Sequence, residues 1–202
     1  MRYTLFFALP IAAALALAAG NTSAQDKGTK PDMDAMMKKW MEFATPAEPH
    51  KMLEEMAGSW NTESKMWMGG PGTEPSVTMG KSTMTMILGG RFLQQDVTGE
   101  MAGTPMHGIG ITGYDNFKKK YVGFWIDDMG TAIYTMEGEM EPDGKTCTYW
   151  GTMDEPATGE KGKKVKYTMT MVDKDKHIFR IYDVSAFGEK EPTMEMVYTR
   201  AK

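Results

Sequence analysis

Gly58-Ser59-Trp60-Asn61-Thr62-Glu63-Ser64-Lys65-Met66-Trp67-Met68 is the stretch that decides the fold. It follows a short helix-like segment, His50 to Ala57, that Gly58 stops. From Trp60 the hydrophobic period becomes two: Trp60, Met66 and Met68 share one face, and Asn61, Glu63 and Lys65 the other. That alternation marks a strand with one buried side. It continues to Tyr198-Thr199-Arg200, with turn signals such as Gly89-Gly90, Glu141-Pro142-Asp143-Gly144 and Asp173-Lys174-Asp175-Lys176 between the segments.

The segments read as about ten strands, over 59–68, 77–88, 91–101, 106–114, 120–127, 131–140, 146–153, 164–172, 177–184 and 193–200. None of the connections is long enough for a crossover helix, so the strands pair antiparallel with their neighbours in sequence. Closing them on themselves removes the edges that an open sheet of that size would expose. The expected fold is therefore all-β, an antiparallel up-and-down barrel preceded by one or two short helices. Residues 31–43 supply the first helix, with Met33, Met36, Met37, Trp40 and Met41 at helical spacing.

Upstream, Arg2 precedes the apolar run Leu5 to Ala19 and then small residues, which reads as a cleaved signal peptide over 1–24 and predicts a periplasmic or secreted protein. Residues 25–46 then form a polar linker and amphipathic helix, and 47–202 the barrel domain. The apolar run is short for a membrane span, and nothing later approaches one. One cysteine, Cys147, leaves no intramolecular disulfide to stabilise the fold. The net charge of −4 argues against a nucleic-acid surface, and the basic runs at 118–120 and 161–166 read as solvated loops.

Strand alternation makes the inner wall rich in methionine. Met66 and Met68, Met84 and Met86, Met169 and Met171, and Met194 and Met196 form four Met-x-Met pairs on four strands, and Tyr134 and Met136 join from a fifth. Leu88, Tyr167 and Tyr198 lie on the same faces. Methionine is unbranched and polarizable, so such a wall adapts to irregular shapes. It serves as core filling in place of leucine, or as the lining of a lumen for a small apolar or amphipathic ligand with Gln95 or Tyr134 as polar anchor. A third use is Cu(I) or Ag(I) binding, since clustered thioethers favour soft cations and His50-Lys51-Met52 and Met106-His107 place imidazole beside thioether.

No catalytic set emerges. Asp127 and Asp128 are adjacent, so on a strand they point to opposite faces, and a role in shaping the following hairpin is expected. His177 begins a strand after a charged turn and reads as a surface residue. No cofactor motif or phosphate-binding loop is present, because Gly69-Gly70-Pro71-Gly72 lacks a following helix.

Gly58-Ser59-Trp60 resembles the Gly-x-Trp motif that opens calycin barrels, in which the tryptophan stacks on a basic residue of the last strand; Arg200 occupies a fitting place. Haem-binding barrels such as nitrobindin share this opening, but no matching motif surrounds His50, His107 or His177. Trp67-Met68-Gly69, Gly89-Gly90-Arg91-Phe92-Leu93, Gly108-Ile109-Gly110, Gly113-Tyr114-Asp115, the segment from Tyr121 to Thr131 and the closing Tyr198-Thr199-Arg200 together resemble the bacterial family called domain of unknown function 1579. That resemblance covers about residues 47–201. It implies a calycin-like barrel, a structural role for Gly58, Trp60 and Arg200, and no activity that transfers. The expectation is a ligand-binding barrel, with a filled envelope module whose first helix contacts a partner or membrane as the other class.

Overall fold

A chain of strand-forming segments joined by tight turns satisfies all its backbone edges only by closing on itself. The computed structural model, which describes residues 32–202, is a closed antiparallel barrel of ten strands. In order they are β1 (Gly58–Met66), β2 (Ser76–Ile87), β3 (Phe92–Met101), β4 (Thr104–Asp115), β5 (Lys120–Asp127), β6 (Tyr134–Met140), β7 (Thr146–Glu155), β8 (Glu160–Asp173), β9 (Lys176–Asp183) and β10 (Met194–Arg200). Each strand pairs with its sequence neighbours, and β1 closes onto β10 in a register running from Trp60 opposite Arg200 to Met66 opposite Met194. This is the up-and-down barrel that the alternation predicts. The segment read as a signal peptide and residues 25–31 lie outside the described residues.

Two helices precede the barrel and meet different fates. In α1 (Met33–Ala44) the Asp32 carboxylate caps the first turn, accepting from the Asp34 and Ala35 amides at 3.1 and 3.2 Å. None of its residues is buried. In α2 (Pro49–Met56), which begins on proline, His50, Leu53 and Met56 are buried in one end of the barrel. Leu53 and Met56 pack with Trp60, Met84, Leu93 and Tyr121, and burying each of the two is worth about 1.5–3 kcal/mol. That end is plugged; the other is the mouth.

The plugged end is fastened where the first and last strands meet. Trp60 donates its indole N–H to the Met56 carbonyl at 2.9 Å, and the Arg200 guanidinium lies 4.1 Å over the indole ring. Arg200 also donates to the carbonyls of Ala57, Glu55 and Lys174 at 2.9–3.0 Å and pairs with Asp175 at 3.3 Å. Gly58 makes room for it: its φ is +131°, and a Cβ there would lie 2.6 Å from Arg200 Nη1.

Several expectations need correction. Met68 lies past the end of β1 and is 74% exposed, and Leu88 leaves β2 with φ +50° to form the turn to β3, which carries its side chain into solvent. The run 161–166 is not a loop, because β8 already begins at Glu160. His177 is completely buried on the inner wall, since the charged turn before it ends at the barrel and not beside it. A one-turn helix, α3 (Val184–Phe187), interrupts the connection from β9 to β10, which the alternation does not signal.

Arg200→Ala removes the stack and all five polar contacts, so unfolding by urea should show a loss of about 2–4 kcal/mol. Arg200→Lys should recover less than half of it, because a single ammonium cannot serve the same set of carbonyls.

Candidate functional site

Pairing register and burial place most of the expected lumen residues on the inner wall. Met84, Met169 and Met196 are buried in the core, while Met86, Met136, Met171 and Met194 are half-buried against it. Gln95 donates from Nε2 to the Tyr198 hydroxyl at 2.9 Å and to Ser82 Oγ at 3.3 Å, so it fastens β3 to β10 and β2 inside the barrel. Tyr134 is half-buried opposite Trp125. The interior is graded: solid against α2, looser toward the mouth.

At the mouth the methionines converge. A groove of about 40 Å³ is lined by Met66, Met68, Met101, Met106, Met194 and Met196, with Ser64, Ser76, Thr78 and Glu100 at its margin. Met68 thus reaches the site from the turn after β1 and not from the strand. Met101 was not singled out from sequence, although the alternation of β3 through Leu93, Gln95 and Val97 already points it inward, and Met106 was named only beside His107 as a soft-metal candidate. A larger hollow of about 480 Å³ lies on the outer wall of β1, β2, β9 and β10, where the charged Glu63, Lys65, Lys176 and Glu195 alternate with Met79, Ile178 and Val197.

Glycine shapes the wall beside the groove. Trp125 lies flat on Gly108 and Gly110, so close that a Cβ on Gly108 would fall inside the indole and one on Gly110 would sit 3.2 Å from it. Its indole N–H donates to Asp127 Oδ2 at 2.7 Å, while Asp127 Oδ1 accepts from the Met129 amide and Asp128 from the His107 amide. The two carboxylates therefore shape the hairpin, as expected from their opposite faces.

Across the mouth stands an ion pair that sequence reasoning missed. Lys163 and Asp183, both on the inner wall and buried, meet at 2.5 Å, and the carboxylate holds the Lys163 ammonium above its ordinary pKa. The other Asp183 oxygen accepts from the Ala186 amide at 3.1 Å and caps α3. The Phe187 ring of α3 rests on Gly70, where a Cβ would come within 2.6 Å, so the β9–β10 connection touches the turn after β1. A lysine in a basic run carries no sequence signal that it will turn inward; only the frame of β8 decides it.

Deeper in, His177 lies edge-on to Trp60 at 4.4 Å and stacked on Tyr198 at 4.3 Å, and neither of its ring nitrogens has a partner among the described residues. Burial and then the Arg200 charge lower its pKa to about 4. Cys147, fully buried, has its thiol pushed up to about 12 by burial and is no thiolate at neutral pH. Among the described residues no three His, Cys, Asp or Glu side chains gather as a metal site.

Because His177 binds a proton near pH 4 when folded and near 6.5 when unfolded, the unfolded chain holds more protons between those values. Stability should be full above about pH 6.5 and fall as pH drops toward 4, by up to about 3 kcal/mol. His177→Phe should flatten that part of the curve in chemical denaturation across pH. Gly108→Ala should displace the indole, costing about 1–3 kcal/mol and shifting tryptophan emission, where Gly103→Ala on an open turn changes emission little.

Among the described residues no helix is long and apolar enough to cross a membrane. No curated protein matches the sequence. The crystal structure of Rv2717c from M. tuberculosis superimposes with a TM-score of 0.53 at 14% identity, covering 78% of this chain and all of that one, and this likeness concerns the fold alone. Residues 45–200 match the model of DUF1579, described as a protein of unknown function. With its barrel matched almost end to end, the chain belongs to the DUF1579 family.

Proposed function

We propose that this is an exported binding protein, periplasmic or secreted, whose site is the methionine groove at the barrel mouth. Its ligand is a small hydrophobic or amphipathic molecule. The observation that carries this reading is the convergence of six methionines from four strands and a turn on one opening. Thioether side chains on unbranched stems re-pack around varied apolar shapes at little cost in strain. The end filled by α2 offers no such room, which moves the site from the deep lumen to the mouth.

Size decides how the ligand is held. Sites for small molecules enclose about 300–1,000 Å³, far more than the 40 Å³ of the groove. The ligand therefore inserts one apolar end as the methionines swing aside, with Trp125 and Tyr134 on the adjoining wall. The small volume also favours a second reading, a Cu(I) or Ag(I) ion held by thioethers, which needs no such movement.

One substitution series separates the two. Changing Met66, Met106 and Met194 together to Leu keeps the apolar contact and removes three sulfurs. An aminonaphthalene-sulfonate probe should then bind within about 3-fold of the native protein, while the corresponding triple Ser variant loses at least about 10-fold, roughly 1.4 kcal/mol. Native mass spectrometry of protein from its own host should show a retained organic mass. Stoichiometric Cu(I) uptake abolished by the Leu series would select the ion, and probe binding unaffected by the Ser series would end the groove reading.

A further inference from the structure

Two apolar surfaces have no partner among the described residues. The first is the stripe of α1, where Met33, Met36, Met37, Trp40, Met41 and Phe43 are 45–67% exposed. The second is on the outer wall, which in a closed barrel should be polar. On β4 and β5 the outward positions pair Ile109 with Ile126 and Ile111 with Phe124, and Val122 sits beside them. Ile126 is the most open of these, and the others are half-buried.

We infer that α1 of one copy lies on the β4–β5 outer strip of a second copy, and reciprocally, forming a two-fold dimer. Four observations select this occupant. The surfaces match in chemistry, thioether and aromatic against branched aliphatic and aromatic. They match in length: a 12-residue helix is about 18 Å long, and the strip of five paired positions about 15 Å. The margins also permit it: Asp96 on β3 and Glu139 on β6, beside the strip, are already paired with His107 and Lys120 at 3.2 and 3.4 Å, so covering the strip strands no unpaired carboxylate.

The fourth observation separates a second copy from the chain's own helix. The C-terminal turn of α1 is fixed to the barrel: Asn116 Nδ2 donates to the Phe43 and Thr45 carbonyls at 3.0 and 2.7 Å, and Arg91 Nη2 to the Ala44 carbonyl at 2.7 Å. Folding back onto its own strip would break these contacts, whereas a second molecule covers the projecting stripe without disturbing them. Each copy offers one helix and one strip, so a two-fold exchange satisfies all four surfaces at once. Six large side chains about half exposed present on the order of 600 Å² per copy, and two such helices with the strips beneath them reach the roughly 1,200–2,000 Å² of a stable interface.

Light scattering after size exclusion should find a dimer at micromolar concentration. Trp40→Ser on the helix and Phe124→Ser on the strip should each raise the dissociation constant at least about 10-fold, with the circular dichroism of the barrel unchanged. Met37→Cys combined with Phe124→Cys should, on oxidation, give a covalent dimer on a non-reducing gel. A native monomer, a dimer indifferent to both serine substitutions, or a cysteine pair that closes within one chain each overturns the proposal. So does a monomer that binds anionic phosphatidylglycerol vesicles through Trp40, which would assign the stripe to a membrane surface.

Discussion

The Arg200 guanidinium over the Trp60 indole is the contact on which the rest of the barrel depends. Every other strand pairing in this topology is between neighbours in sequence, so β1 against β10 is the one pairing that closes a loop of almost the whole domain. Long closures cost chain entropy, and the reward has to be concentrated where the ends meet. Arg200 concentrates it by serving the carbonyls of Glu55 and Ala57 at the end of α2 and that of Lys174 in the β8–β9 turn, while stacking on β1. Helix plug, first strand, last strand and one turn are fastened by a single side chain.

Closure at that end grades the interior. Near α2 the core is solid, and the polar groups it traps are either satisfied, as Gln95 and Tyr198 are by each other, or held neutral, as His177 is. Toward the mouth no helix plugs the barrel among the described residues, and methionine replaces a fixed filling with an adaptable one. Glycines at 108 and 110 let Trp125 lie flat against the wall and leave the axis to the thioethers. The Lys163–Asp183 pair, though buried, is no sign of added stability, because desolvation offsets much of its attraction. Its visible effect is geometric: it sets the start of α3 and so the position of Phe187 over the turn at Gly70.

The two helices show why pattern alone does not determine burial. Both are amphipathic, yet α2 fills the barrel end and α1 leaves its apolar stripe in solvent. The difference comes from Pro46 between them, from Pro49 at the start of α2, and from the hydrogen bonds of Asn116 and Arg91 to the end of α1, which aim it away from the sheet. The β4–β5 strip repeats the lesson on the outer wall. Alternation assigns Ile109, Ile111 and Phe124 to one face, and only closure reveals that this face is the outside.

By itself the sequence determined which residues within a strand share a face and where most turns fall, because strand periodicity and turn chemistry are local, while the association of Gly58, Trp60 and Arg200 was implied by the resemblance to calycin barrels. The inward direction of Met66, Met84, Met136, Met169 and Met196 was legible for the same reason. What only the tertiary structure decided is depth along the barrel axis: that Met84 is plugged by α2 while Met66 opens on the mouth, that Met101 and Met106 complete the groove, and that His177 is interior. Depth depends on how the strands are staggered on closure and on what fills each end. Those are long-range quantities, and a period of two carries no information about them.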